Sequence, residues 1–400
     1  MNQGTGRFGV FLLALCVLSG SSHGQALNVD IGDNFGGPSE QYGGAAGQPG
    51  RWNVINAVGD TGNPVSLVDL GGAPTSATID LTAWDSSDSE ELGTYEVAAD
   101  HPDTTGDEAL LMDDQMDCGG IFGTGIIRFA GLTPGKYDVY VYAWASDNLG
   151  SSQHNTLGQQ LRGADWDGIR FLHTYAVEAC RTVGDNGLLS IIVTANGYGS
   201  ANGVQLVPRS GPCPFSSRCF GNGSTPGCTD CPCGNNAPNS ATGGCLNSAG
   251  KSARLVPSGI PSATQDRFWV RLIDATPNSF AILASASNAT PLDPANPCFG
   301  ALSGVTSILF DGLRCIATNE IRHGVRATNA NGGLVSSDSF EFVPMFGWGG
   351  LASPAQGLVA QGGFVSGETR HFQVIYREEV NAGCGTGLNT SQAVRALIGP

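Results

Sequence analysis

Along much of this 400-residue chain, apolar and polar positions alternate with the two-residue period of strands that bury one face. The clearest run is Tyr137-Asp-Val-Tyr-Val-Tyr-Ala-Trp144, entered through the turn Leu132-Thr-Pro-Gly-Lys136. It places Tyr137, Val139, Val141 and Ala143 on one face, and Asp138, Tyr140, Tyr142 and Trp144 on the other. The aromatic face is expected to be the buried one, because its rings remove more area from water. Further strands are expected at 65–69, 78–81, 125–129, 188–194 and 203–207, then at 267–273, 280–284, 306–310, 312–316, 339–343 and 371–377. Short strands at this spacing predict an all-β chain built from β-sandwiches. The 59 glycines and 21 prolines supply the tight turns that such strands need.

At the N-terminus the pattern changes. Arg7 precedes an unbroken apolar run at 8–18 and a small, polar stretch at 19–24. That order reads as a cleaved secretory signal peptide, assigned to residues 1–26. The run is too short to span a bilayer, and no later segment approaches the roughly 20 apolar residues a span requires. An exported protein without a transmembrane segment is expected, secreted or held at the cell surface. Leu15 precedes Cys16 where a lipid-attachment signal has a small residue, which argues against lipidation.

Charge divides the remaining chain. Residues 27–208 hold 24 Asp and Glu against 6 Lys and Arg, whereas residues 209–400 hold 11 against 12. Two domains are therefore expected, 27–208 and 209–400, with net charges of −18 and +1. So acidic a first half repels a phosphate backbone, which excludes nucleic acid as a partner.

Cysteine divides the chain at the same place. Of eleven cysteines after the signal segment, only Cys118 and Cys180 precede residue 209. In an exported chain these read as disulfides, and the odd count leaves at least one outside intramolecular pairing. The stretch 209–247 has too little apolar content to fold without cross-links. Within it, Cys228-Thr-Asp-Cys231-Pro-Cys233 resembles half a zinc site, but no second ligand pair lies nearby, so disulfides are the expectation.

Several motifs carry a resemblance. Cys219-Phe-Gly-Asn-Gly, Cys231-Pro-Cys-Gly-Asn235, Gly244-Cys245, Phe310-Asp-Gly-Leu-Arg-Cys315, Phe372-Gln-Val-Ile-Tyr-Arg377, Cys384 and Leu388-Asn-Thr-Ser391 together resemble a Cys-rich module of secreted bacterial proteins. The resemblance covers most of 213–400 and implies export and a β-rich surface module, without an activity. Val29-Asp-Ile-Gly32, Gly50-Arg-Trp-Asn53, Leu67-Val-Asp-Leu-Gly71, the run ending at Tyr142 and Asn202-Gly-Val-Gln-Leu-Val207 resemble jelly-roll domains, some of them carbohydrate-binding or malectin-like. That implies a jelly-roll-like sandwich for 27–208.

Candidate chemistry concentrates in the acidic half. Between Trp52 and Ile127 there are 15 Asp and Glu and no Lys or Arg. Asp100, Asp103 and Asp107, or Asp113, Asp114 and Asp117, have the loop-borne oxygens that calcium takes. A solvated acidic surface is the alternative reading. Trp52 with Asn53, Trp84 with Asp85, and Trp166 with Asp167 pair a ring for stacking on a sugar with a side chain for its hydroxyls. Packing beneath loops is their alternative.

No catalytic residue is assigned. The nucleophile pattern G-x-S-x-G lacks its strand-turn-helix setting, H-E-x-x-H is absent, and the histidines are scattered. The functional expectation is a non-catalytic binding protein that engages carbohydrate through its first domain, with calcium as the one candidate cofactor. A structural or adhesive cell-surface protein is the alternative. A glycoside hydrolase or lyase using Asp/Glu pairs comes third.

Overall fold

The computed structural model describes residues 24–400 except 58–62, 86–90, 93–94, 99–102, 118–122, 145–150, 155–158, 162–174, 197–199, 226, 265, 267, 293–294, 297, 299–307, 329–347, 350–356 and 379–384. Among the described residues strands hold 47% and helices 4%, so the fold is all-β. Residues 1–23 of the signal segment and the expected strand at 339–343 lie outside the described residues.

Two sheets build the sandwich of the first half, beside a small three-stranded sheet, Ser200–Ala201, Asp114–Asp117, Tyr95–Ala98. One runs in the order Tyr175–Val183, Gly135–Tyr142, Gly203–Pro208, Leu27–Ile31, Trp52–Ile55, antiparallel except for its last pair. The other runs Gln159–Leu161, Ser151–His154, Leu189–Asn196, Gly123–Ala130, Pro74–Asp85, Val65–Val68, with Glu91–Leu92 also paired to Pro74–Asp85. Strand alternation aims Leu27, Val29, Val139, Val141 and Leu206 of the first sheet at Ile79, Leu81, Ile127, Phe129 and Ile191 of the second. These side chains form one buried core. This is the expected sandwich.

The aromatic stripe is buried as expected, but outside the sandwich core. The Val139 and Val141 face fills the sandwich core, while Tyr140, Tyr142 and Trp144 are buried as well, in a second cluster on the outer face of the same sheet. Trp52, Leu111, Met112, Tyr175 and Val177 join that cluster, with Tyr42, Ala45, Ala46 and Ile260 packed against it. Both faces are covered because the chain at 33–50 and the short helix Asp107–Met112 fold over the sheet. Polar groups in this layer find partners. The Tyr142 hydroxyl donates to Gln205 Oε1 at 2.6 Å and accepts the Ala45 N–H at 2.7 Å. The Gln48 and Gln205 amides each donate to Asn28 Oδ1 at 2.9 Å.

The second half has a five-stranded sheet, Phe215–Arg218, Leu388–Leu397, Thr369–Arg377, Phe280–Ala286, Ile321–Ala327, and a three-stranded one, Arg254–Ser258, Trp269–Ile273, Trp348–Gly349. Phe268, Val270, Leu272, Leu283, Phe372 and Val374 fill the core that they share, with Phe268 edge-on to Phe372 at 5.1 Å. Bridges Cys219–Cys315, Cys228–Cys298 and Cys231–Cys245 staple the Cys-rich segment down, and Cys233 is disulfide-bonded too. Ala284, Ala286 and Ala393 beneath them are small enough to let the sulfurs approach the sheet. The bridges mark a chain that folds in an oxidising compartment. No helix among the described residues is long and apolar enough to cross a membrane.

The two halves meet. Cys180 in the first is bridged to Cys213 in the second. Arg209 is ion-paired with Asp138, and the Gly259 N–H donates to the Val177 carbonyl at 3.2 Å.

Candidate functional site

Of the expected glycan-platform residues, Trp52 and Asn53 are buried inside the fold. Trp52 is 3% exposed, its ring stacks on Tyr42 with centroids 5.8 Å apart, and its Nε1–H donates to the Tyr42 carbonyl. Asn53 is also buried. Its amide donates to the carbonyls of Asn28 and Val68 and accepts the Val68 N–H, joining the edges of both sheets. Both residues are therefore corrected from ligand contacts to internal supports: an edge-strand ring is covered as soon as a loop crosses it. Trp84 and Asp85 end the strand Pro74–Asp85, but their side chains lie outside the described residues, as do Trp166 and Asp167 altogether.

The calcium candidates are dispersed. Asp107 accepts both the N–H and the hydroxyl of Ser39, tying the covering loop to the helix Asp107–Met112. Asp114 is 1% exposed and accepts the Asn34 N–H at 3.1 Å. Its carboxylate sits where any Cβ on Gly32 would fall, and Gly32 has φ +139°, so only glycine suits that turn. Asp113 is buried, Asp117 is paired through its backbone with Tyr95 and Ser200, Asp103 is exposed, and Asp100 is outside the described residues. Among the described residues, no three His, Cys, Asp or Glu side chains converge to hold a metal ion.

What the fold does assemble is a cleft between the halves, a cavity of about 670 Å³ lined by Tyr140, Tyr175, Arg209, Pro212, Ile260 and Thr264 among others. Pairing of Tyr175–Val183 with Gly135–Tyr142 stacks the Tyr140 and Tyr175 rings 6.1 Å apart. Burial, and then the neighbouring Asp138 charge, push the Tyr140 phenol above its ordinary pKa, so it stays a neutral hydrogen-bond donor. Asp138 holds the Arg209 guanidinium with bonds to both carboxylate oxygens, which orients its remaining N–H groups. Hydroxyls at Ser262, Thr264 and Ser366 also line it, and no carboxylate or imidazole side chain does so among the described residues. The site thus offers apolar rings and walls, a fixed cation and hydroxyl groups.

Of these residues, sequence reasoning singled out only Tyr140, and as core. Tyr175, Arg209, Ile260 and Thr264 lie in separate segments, and nothing in local patterning links them.

A second groove, of about 480 Å³, lies over the second half's larger sheet. Its lining includes Phe280 and Val325, 56% and 53% exposed, and is rimmed by Arg322, Arg377 and Glu320.

No family model matches the chain, and no curated protein matches it either.

Proposed function

We propose that this is an exported binding protein for extracellular carbohydrate, and that the sugar sits in the cleft between the halves rather than on an exposed tryptophan platform. The stacked Tyr140 and Tyr175 floor carries this reading. Sugar C–H faces pack on aromatic rings, while hydroxyls take hydrogen bonds from a guanidinium and from side-chain hydroxyls. The cavity is of ordinary ligand-site size and suits a short oligosaccharide. The N-terminal signal pattern and the disulfide bridges support export.

A glycan array with the mature chain tests the reading. Selective capture of one glycan class is expected, with capture lost in Tyr175→Ala and in Thr264→Trp, which fills the cleft from its rim. Capture that survives Thr264→Trp, or no capture at all, would discard the cleft as a sugar site.

The exposed apolar groove favours a second reading, an adhesive role by self-association. Its Arg322 and Arg377 rim complements the −18 half of another copy, so the occupant would be a second molecule of this chain. Sedimentation at rising concentration would show salt-sensitive association, abolished by Val325→Asp. A monomer at all concentrations refutes it.

A further inference from the structure

Motifs far apart in the sequence meet at one buried point in the second half. Asn235 ends the Cys231-Pro-Cys-Gly run, and its amide donates to the carbonyls of Leu246 at 2.8 Å and Asp311 at 3.1 Å. Asn389, from Leu388-Asn-Thr-Ser391, donates to the same Leu246 carbonyl at 3.2 Å. Asp311 is itself tied to this strand, its N–H donating to the Leu388 carbonyl at 2.9 Å. Thr386 donates its hydroxyl to Asp311 Oδ1 at 2.7 Å. Across the same turn the Glu378 N–H donates to the Gly387 carbonyl at 3.0 Å, and Glu378 Oε1 accepts the Ser248 N–H.

These bonds account for only part of the acceptor capacity. Asp311 is 0% exposed and Glu378 9% exposed, yet Asp311 Oδ2, Glu378 Oε2 and Asn235 Oδ1 are buried without a hydrogen-bond donor. Among the described residues no Lys or Arg is paired with either carboxylate. Burying two carboxylates without a counter-charge is unfavourable, and a cation between them would offset that penalty. The open acceptors are all oxygen, two anionic and one amide, the ligand type that calcium takes. That set suits a hard cation and excludes a zinc site of sulfur and imidazole.

We propose that Asp311, Glu378 and Asn235 ligate a calcium-type divalent cation, which pins the Cys-rich segment to the end of the Thr369–Arg377 and Leu388–Leu397 hairpin. The site is distinct from the acidic stretch of the first half and independent of the sugar cleft.

Terbium and calcium, used on the mature full-length chain after chelator treatment, test it. Tyr376 lies across the sheet from Asn389, so its ring should sensitise luminescence from bound terbium. The expected result is tyrosine-excited terbium emission, its displacement by calcium, and a calcium-dependent rise in melting temperature. Glu378→Gln and Asp311→Asn should each weaken binding by about tenfold or more, while Asp113→Asn leaves it unchanged. If Asp311→Asn fails to fold, Glu378→Gln with a native circular-dichroism spectrum decides the matter. The proposal is overturned if calcium neither shifts melting of the unmodified protein nor displaces terbium, or if folded Glu378→Gln binds as the parent does.

Discussion

The guanidinium of Arg209 grips both oxygens of the Asp138 carboxylate, Nε to Oδ1 at 2.8 Å and Nη2 to Oδ2 at 2.5 Å. Asp138 lies in the strand Gly135–Tyr142, and Arg209 immediately follows the strand Gly203–Pro208. The same Oδ1 accepts the Cys180 N–H, and Cys180 is bridged to Cys213. One carboxylate therefore organises the ionic and the covalent link between the halves, beside the cleft that they form.

Replacing Asp138 by Ala strips the partner from a largely buried guanidinium and from a backbone N–H. A loss of about 2–4 kcal/mol is expected in urea unfolding. Glycan capture should fall as well, since Arg209 would no longer be held in place. An unchanged unfolding midpoint would show that the junction does not depend on the pair.

Acid should destabilise the second half. His323 and His371 both have pKa values lowered to about 4, chiefly by burial, with Arg370 beside His323 and with Arg218 and Arg395 beside His371. Their folded values lie below the unfolded one near 6.5, so only the unfolded chain takes up these protons as pH falls from 6.5 towards 4. Stability is full above that window and declines through it, on the order of 2 kcal/mol for the buried His371. Calorimetry at pH 7 and pH 4.5 should show a smaller drop for His371→Gln than for the parent.

Glu178 works in the opposite direction. It is 4% exposed beside the bulge at Cys180, and burial raises its carboxyl to about 7 although Arg181 lies 3.4 Å away and pulls it down. The folded value is above the unfolded one, so the folded chain holds the proton more tightly and loses stability as pH rises from 4.5 to 7. Glu178→Gln should raise the melting temperature at pH 8 and leave it nearly unchanged at pH 4. Equal effects at both pH values would contradict the assignment.

Trp52 offers a test of support against contact. Trp52→Ala removes a buried ring and leaves the Tyr42 carbonyl without its indole donor, so a loss of about 3–5 kcal/mol is expected. Any weakening of glycan capture should then vanish at a temperature low enough to keep the variant folded. A sugar contact would instead stay weak in the folded variant.

Several features were legible in the chain alone. Alternation located the strands Gly123–Ala130, Gly135–Tyr142, Leu189–Asn196 and Gly203–Pro208, because a half-buried strand writes its period locally. Cysteine density around 213–245 announced the bridges, since so little apolar surface leaves few other ways to hold a segment. The expected run at 312–316 became two short strands, Gly312–Leu313 and Ile316–Ala317, interrupted where Cys315 turns into its bridge.

Other features had no local signature. Asn389, Thr390, Ser391 and Gln392 form a polar run without apolar alternation, yet they are buried in the strand Leu388–Leu397. Gln392 there bonds both the N–H and the carbonyl of Leu255, and Ser391 bonds the Val374 N–H. A polar residue can be buried when its partner arrives from another strand, and that partner is a property of the pairing.

The same reason separates the two kinds of knowledge about this protein. Its sequence determined the strand-rich class, the cross-linked second half and the charge division, each set by composition or by a short-range period. Only the tertiary structure decided that Trp52 supports rather than presents, that Tyr140 and Tyr175 floor a cleft with Arg209, and that Asn235, Asp311 and Glu378 meet. Those relations join residues far apart in the chain, and they exist only once long-range strand pairing and the bridges have brought the segments together.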